Sequence, residues 1–457
     1  MKKKLLCILA VLAALVMIAT LVGPGVILSA VRQPEPEDGF AYAESFRTDY
    51  EDIRLHLQEL SDGLGAEFAS HPIDESDGLY IDSFYLPSRD TQTNLVVLTS
   101  GVHGIEGYIG AAMLDVFFGE IYPTLDHSDT GVLVVANVNP YGMKHLRRYN
   151  ENNVDLNRNF ILDWDTFDRA SNQEYPKVDT FLGPTGKIGN ALWHEAGFYL
   201  SLAKTAITEG ADTISDALLT GQYEHPQGVY YGGDGDESST VYLKDVFARC
   251  LESRYENIVH IDIHSGYGPR YNMVIFNSVF ETMTEAESVA AFGYGNVIAH
   301  DSESFYATTG DTTDFFYRLA QQKDTDTALF STCFEFGTIG DAFFDTILSL
   351  HYTVDENRQH WYPSDSRITS EVVKENYPDC LFVGPCTVGD IDMFGVGERL
   401  ITARSEPVFG GVYKLVAVEN ADGSVTPKIK ISENVGKITT PHYKKVYRFI
   451  GNDTGKA

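Results

Sequence analysis

The chain is poor in basic residues and in cysteines, and several common catalytic motifs are absent from it. Among its 457 residues, 34 Lys and Arg stand against 65 Asp and Glu, which gives a net charge of −31. A surface this acidic repels nucleic acid and anionic lipid headgroups, so we expect no nucleic-acid partner. The sequence contains neither GxSxG nor HExxH, and this excludes two large classes of hydrolase. At 43% hydrophobic residues, the chain can still bury a large core.

The few cysteines form no CxxC motif and no zinc-finger spacing. Cys7 lies in an apolar N-terminal run, which leaves Cys250, Cys333, Cys380 and Cys386 in the rest of the chain. In an exported protein these four could form two disulfides in any of three connectivities. Buried free thiols are an equally good interpretation.

The first 31 residues predict a membrane signal. Lys2 to Lys4 precede the run Leu5 to Val31, which carries no charge. Such a run exceeds the ~20 residues needed to span a bilayer and the 7–15 apolar residues of a cleaved signal. We expect a transmembrane anchor that keeps the lysines cytoplasmic and the body extracytoplasmic. Cleavage near Ser29 or Ala30, which would give a secreted protein, is the alternative.

A polar, proline-bearing linker (residues 32–45) leads to a body with alternating strand-like and helix-like segments. This alternation is typical of a mostly parallel α/β sheet, in which ligands bind at the carboxyl ends of strands. The expected helices are Asp49–Leu60 and Tyr108–Gly119, and the expected strands are Leu79–Leu86, Thr93–Thr99, Gly131–Val138, Ile258–Ile263 and Ala328–Phe334.

Two of these strand ends carry residues that bind metals. After the strand Thr93–Thr99 comes HGIEG, which contains His103 and Glu106, and the strand Ile258–Ile263 runs into His264. Two imidazoles and a carboxylate would leave the fourth position of a tetrahedral zinc ion open for water, as a catalytic site requires. Zinc lowers the pKa of bound water to roughly 7. For each motif alone, a helix cap or a satisfied core histidine is the alternative.

Between the two metal motifs lies NPYGMKHLRRYNENNVDLNRNF, which is rich in arginine for so acidic a protein. Arg148 and Arg158 could bind a carboxylate through two hydrogen bonds and polarise a carbonyl group. A surface loop with salt bridges is the alternative.

Taken in order, HGIEG, NPYG…RRYNENNVDLNRNF, DIHSGYG and FEFGT resemble the zinc carboxypeptidase superfamily over about Thr93 to Gly340, in particular a little-characterised bacterial branch of it. The resemblance implies a mixed, mostly parallel twisted sheet flanked by helices, in a catalytic domain over residues 46–385. It also implies one Zn²⁺ and a role for each matching residue. The metal ligands would be His103, Glu106 and His264, Asp155 would orient the first histidine, Asn157 and Arg158 would hold a substrate carboxylate, Arg148 would stabilise the oxyanion, and Glu335 would be the general base.

The segment FYATTGDTTDFF resembles the family's mobile loop, with Tyr306 as the tyrosine that covers the substrate. The same alignment puts Thr313 near the position that sets side-chain specificity. Because Thr313 is neutral, this position gives no support for a preference for basic residues.

The resemblance implies a hydrolase that cleaves an amide next to a free carboxylate, in a peptide or cell-wall peptide. Alternatives are an N-acyl amino acid deacylase of the same superfamily and a non-catalytic zinc-binding surface module. The partners would be such a substrate and, through the N-terminal helix, the membrane.

The last residues, 388–457, resemble a fragment of nicotinate phosphoribosyltransferase, most clearly in FGVGERL and in GGVYKL…KIKISEN. We expect a β-rich segment there. The resemblance implies a phosphate-binding role for Gly395 and Gly397, but the rest of the transferase barrel is missing. A fusion remnant or mis-joined reading frame, a β-rich accessory module and a working phosphate site are the three interpretations, and any transferase activity is expected to be lost.

Overall fold

The computed structural model describes residues 45, 47, 49–187, 191–268, 273–292, 294–302, 305–337, 343–362, 413–419 and 425–431. The expected anchor (1–31), nearly all of the linker and most of the tail lie outside these residues. Within them, no helix combines the length and the apolar character needed to cross a membrane.

An eight-stranded mixed sheet forms the centre of the body, in the order β1-β2-β4-β3-β5-β8-β6-β7. Strands β4, β3, β5 and β8 run parallel to one another, whereas β1, β2 and β6 join by antiparallel pairing. The strands are β1 Glu67–Asp74, β2 Leu79–Leu86, β3 Asn94–Ser100, β4 Thr130–Ala136, β5 Asn257–Gly266, β6 Met273–Asn277, β7 Val297–Ile298 and β8 Ala328–Gly337.

Ten α-helices connect or cover these strands in the described body. They are α1 Tyr50–Leu64, α2 Gly107–Val116, α3 Pro140–Lys144, α4 Tyr175–Leu182, α5 Ala191–Thr208, α6 Ala211–Leu219, α7 Ser238–Glu252, α8 Glu285–Phe292, α9 Thr312–Lys323 and α10 Phe343–Trp361. One apolar cluster packs α1 and α2 on one face of the sheet, and a second packs α7 and α9 on the other. A third cluster joins α4, α5, α6 and α10.

The central strands are continuous apolar runs because both of their faces are covered by helices. All seven residues of β3 are buried, as are the eight residues Ile258 to Ser265 of β5. The parallel register of β5 and β8 sets His264 directly beside Glu335. The sheet itself therefore brings a predicted ligand and the predicted base together.

The expected strands are all present: Leu79–Leu86 has the expected bounds, and the ends of the others shift by at most three residues. Three further strands were not expected: β1, β6 and β7. The surface-edge strand β1 has no buried residue and contains Pro72, so it lacks the apolar run that marks an internal strand.

In the tail, the structure describes two strands, β9 Tyr413–Glu419 and β10 Val425–Ile431, which pair antiparallel. Gly395 and Gly397 lie outside the described residues. In the body, Cys250 and Cys333 are both free thiols, which agrees with the thiol interpretation for this pair.

Candidate metal centre and catalytic site

Three side chains from the ends of β3 and β5 converge at the carboxyl edge of the sheet. His103 Nδ1 lies 2.9 Å from Glu106 Oε1 and 3.3 Å from His264 Nδ1, and His264 Nδ1 lies 3.1 Å from Glu106 Oε2. All three residues are at least 95% buried. The structure thus brings together the three residues that the sequence predicts as ligands, and these form a group that could hold a metal ion.

The loop after β3 is shaped by glycine. Gly101 has a φ of +75°, and a Cβ at Gly104 would stand 2.2 Å from the backbone of Gly142, so only glycine fits there. This close approach lets the Gly104 and Ile105 amides donate to the carbonyl oxygens of Arg148 and Arg147, at 3.2 and 2.9 Å. The loop that carries His103 and Glu106 (the metal loop) and the loop that carries Arg147 and Arg148 (the arginine loop) are therefore joined by backbone hydrogen bonds.

Carboxylates support the outer nitrogens of both histidines. His103 Nε2 lies 3.2 Å from Asp155 Oδ1, and His264 Nε2 lies 2.9 Å from Asp262 Oδ2. Such partners fix the ring orientation and raise the basicity of ligating histidines. Burial acts to raise the pKa of Glu106, but His103 and His264 hold it at about 2, so the carboxylate is ionised.

The donor set fits a zinc ion. Both Nδ1 atoms and the Glu106 carboxylate face one small buried space, within 4.8 Å of one another. Two imidazoles and a carboxylate are a set that zinc uses in catalytic sites, where the fourth position stays open. The Nε2 atoms lie on the side of Asp155 and Asp262, so the Nδ1 atoms are the nitrogens that face Glu106 and that would bind the ion.

Glu335 lies on β8 beside this cluster, where burial raises its pKa to about 7. Its Oε2 atom is buried and makes no hydrogen bond. An unpartnered buried carboxylate oxygen is costly unless function uses it. Glu335 therefore has the position and the proton affinity that a general base needs near neutral pH.

Arginine and asparagine side chains from the loop before and after Asp155 complete the polar surroundings. Arg148 donates from Nε to Asp155 Oδ2 at 2.9 Å, and its NH1 lies 3.8 Å from Glu106 Oε1. Arg158 is 6% exposed, and its Nε has no hydrogen-bond partner. Asn157 Oδ1 accepts from the Thr312 amide at 3.1 Å. Two largely buried guanidinium groups thus lie near Asp155.

Tyr306 lies in a cavity that opens beside the cluster and that His264, Glu335 and Asn157 also line. Its ring packs 4.8 Å from that of Phe276. Burial and the nearby Glu335 raise the pKa of Tyr306 well above its ordinary value, so the hydroxyl keeps its proton. The predicted tyrosine is therefore half-buried in the wall of the cavity.

Three residues of the site were given no role by the sequence: Asp262, Cys333 and Asp314. Asp262 and His264 alternate on β5, as do Cys333 and Glu335 on β8, and residues two apart on a strand share a face. That alternation is the signal that identifies the first two. Asp314 stands on α9, and only the packing of this helix brings it to the cavity.

Sheet and site together define an α/β protein with a buried His/Glu group that could hold a metal ion. The chain belongs to the family described as "Protein of unknown function (DUF2817)", whose model matches residues 46–384.

Solved structures similar to the chain include carboxypeptidase A from Helicoverpa armigera, at 15% identity and a TM-score of 0.40, covering 75% of this chain and 77% of that one. Bovine thrombin-activatable fibrinolysis inhibitor is 14% identical with a TM-score of 0.38, covering 65% and 87%. Succinylglutamate desuccinylase from Chromobacterium violaceum is 14% identical with a TM-score of 0.30, covering 66% and 71%.

Curated relatives match a different and much shorter stretch. Nicotinate phosphoribosyltransferase from Bacillus subtilis is 58% identical over 60 residues, and the Caenorhabditis elegans enzyme is 48% identical over 64. These matches cover 13% and 14% of this chain but only 12% and 10% of the relatives. The similarity to the transferase is therefore that of a fragment, as the sequence predicts for the tail.

Proposed function

We propose that this protein is a one-zinc hydrolase that cleaves an amide bond next to a free carboxylate. The observation that carries the proposal is the juxtaposition of the His103, Glu106 and His264 donors with the unpartnered oxygen of Glu335 on the neighbouring strand. The same edge of the sheet presents the cationic groups that an acid-terminated amide would need.

In this proposal His103, Glu106 and His264 hold the metal. A bound zinc ion supplies a Lewis acid and makes water a stronger nucleophile at neutral pH. Asp155 and Asp262 keep the two imidazoles in the orientation that binding requires, through the 3.2 and 2.9 Å contacts with their Nε2 atoms.

The remaining residues act on substrate and protons. Glu335 accepts the proton of the attacking water on its free carboxylate and then delivers that proton to the leaving nitrogen. Arg148, held by Asp155 next to the ligand Glu106, stabilises the negative charge that develops on the carbonyl oxygen. Asn157 and Arg158 fix the substrate carboxylate, and Tyr306 closes over the bound substrate.

Glu335→Gln tests the assignment. The variant keeps the volume of the side chain but cannot accept the proton, so we expect it to retain one equivalent of zinc and lose at least about 100-fold in kcat. Zinc content is measured by elemental analysis and turnover by release of the amine. Unchanged turnover would exclude Glu335 as the base.

A substrate panel separates the amide classes. The zinc-loaded protein is assayed with three classes of substrate: N-acyl dipeptides, N-acyl amino acids, and the same dipeptides with an amidated C-terminus. We expect the amidated peptides to be poor substrates because they offer no anion to Arg158. Activity confined to N-acyl amino acids would replace the peptidase proposal with the deacylase alternative. Zinc binding without any turnover would favour the other alternative, a non-catalytic zinc-binding surface module.

We further propose that this site is exported and tethered by residues 1–31. The support is the uncharged run from Leu5 to Val31 that follows three lysines. Fractionation of cells into membrane and soluble pools, with and without residues 1–31, tests this. Deletion of 388–457 with full retention of hydrolysis would show that the tail has no part in the site.

A further inference from the structure

The cavity beside the catalytic cluster has an apolar wall and an acidic side. Its volume is about 60 Å³, enough for several atoms, since a single water needs at least ~10–15 Å³. Phe276, Val279 and Phe305 form part of its wall. Asp314 lines the same space as His264 and Glu335 and is 7% exposed.

The carboxylate of Asp314 is only partly engaged by the protein. Its Oδ1 atom accepts hydrogen bonds from Ser278 Oγ at 2.5 Å and from the Val279 amide at 3.2 Å. Both of these bonds fall on a single oxygen. Within the described part of the chain, no lysine or arginine forms an ion pair with this carboxylate at 4 Å or less, and the nearby Arg318 is exposed. Burial raises the pKa of Asp314 to about 7, with a further contribution from Asp311. Among the described residues, this buried carboxylate therefore has no directly paired counter-charge.

Asp311 differs from Asp314 because both of its carboxylate oxygens accept hydrogen bonds from the protein. Its two oxygens accept from Thr313 Oγ1 at 2.8 Å, from the Asp314 amide at 2.8 Å and from Thr308 Oγ1 at 2.6 Å. These are the contacts of a residue that caps the start of α9. Thr313, the neutral residue that the sequence placed at the specificity position, is thus occupied with the cap. The partly engaged carboxylate on this side of the cavity belongs to the next residue along the helix, Asp314.

The position of the cavity decides which part of a substrate enters it. Asn157, proposed to hold the substrate carboxylate, lines the cavity and is tied to the beginning of α9 through the Thr312 amide. Glu335 and His264 line it on the side of the scissile bond. A residue bound with its carboxylate at Asn157 and its amide at Glu335 would project its own side chain into this space.

From this arrangement, and resting on the proposed function, we infer that the site selects a terminal residue with a cationic side chain, whose aliphatic part packs on the apolar wall and whose charge pairs with Asp314. An ammonium or guanidinium group would supply the missing counter-charge and the missing hydrogen-bond donor together. A neutral side chain of the same length would leave the acid buried and unpaired.

The test compares matched substrates on the zinc-loaded protein. N-acyl dipeptides ending in lysine, ornithine and norleucine differ mainly in charge and length, and norleucine has nearly the shape of lysine without its charge. We expect kcat/KM for the lysine peptide to exceed that for the norleucine peptide by roughly 30-fold or more, because truncation of a buried charge pair has costs of this order.

Asp314→Asn identifies the residue responsible. The amide keeps the oxygen that Ser278 and Val279 use but removes the charge, so turnover of the lysine peptide should fall roughly 30-fold while norleucine stays within about threefold. Asp245→Asn, an identical change on the exposed face of α7, is the matched control and should alter neither.

Each outcome is decisive. Wild-type protein that cleaves the norleucine peptide as well as the lysine peptide overturns the inference and leaves the proposed function standing, even if Asp314→Asn fails to fold. Equal loss on both peptides in folded Asp314→Asn assigns the residue a purely structural role and also overturns it. Failure to cleave any carboxylate-terminated amide overturns the proposed function and this inference with it.

Discussion

A buried ion pair joins the arginine loop of the site to the last helix of the body, and we predict that it couples the two energetically. Arg147 Nε contacts Glu356 Oε1, and both side chains are 6% exposed. Arg147 also donates from NH2 to Asn153 Oδ1 at 2.8 Å, while its carbonyl accepts from Ile105 in the metal loop. Helix α10 therefore reaches the metal loop through one arginine.

The size of the effect follows from burial. Removal of one partner leaves the other charge in the interior without compensation, which costs about 3–5 kcal/mol. Arg147 NH1 and Glu356 Oε2 already lack hydrogen bonds, so the pair is incompletely satisfied and the lower end of that range applies. We expect Arg147→Met and Glu356→Leu each to lower the free energy of unfolding by about 3 kcal/mol.

The double variant distinguishes this explanation from simple loss of packing. With both charges gone, no buried charge remains uncompensated, so the double variant should lie within about 1 kcal/mol of the wild type rather than lose the ~6 kcal/mol expected from addition. Urea unfolding of all four proteins at one zinc concentration, followed by circular dichroism, measures the cycle. Additivity within about 0.5 kcal/mol would refute the reasoning, because independent sites behave in that way.

Three further predictions concern single residues. Asp262→Asn should weaken zinc binding by about 10–100-fold, measured by competition with a chelator, while Asp245→Asn should not. Gly104→Ala should destabilise the protein by at least about 3 kcal/mol in thermal unfolding, whereas Gly63→Ala, in an open position of α1, should stabilise it by about 0.5–1 kcal/mol; the opposite order would contradict the close approach. The folded-state pKa of Glu106, about 2, is below its ordinary 4.5, so its contribution to stability is complete above pH 4.5 and is lost as the pH falls toward 2. Metal-free Glu106→Gln should show a shallower decline in melting temperature over that interval, and identical profiles would contradict this.

The sheet strands that carry the site could be predicted because they are buried on both faces. Runs such as NLVVLTS in β3 are almost entirely apolar, which is typical of a strand covered on both faces. The polar residues that follow these runs mark the strand ends. Strand β1 could not be found in the same way. It is an exposed edge, held by pairing with β2, and its residues show no apolar pattern of their own.

The candidate ligands and base were predictable for a different reason. Each stands at or just beyond the end of a buried strand, and parallel strands bring such ends together. Asp314 could not be predicted in this way, because it is a helix residue and its position at the cavity depends on how α9 packs. The sequence alignment put Thr313 at the specificity position and so predicted a neutral pocket. A shift of one residue, to Asp314, makes the pocket acidic.

The register that pairs His264 with Glu335 has a consequence for how such a protein can change over time. His264 and Glu335 face each other on the same rung of the β5–β8 ladder, and the core of the sheet holds that ladder in place. The acidic cavity, by contrast, is walled largely by the loop before α9 and by the beginning of that helix. Substitutions there would change the lining of the cavity while the pairing of His264 with Glu335 stays in place, so the cavity can vary independently of the sheet.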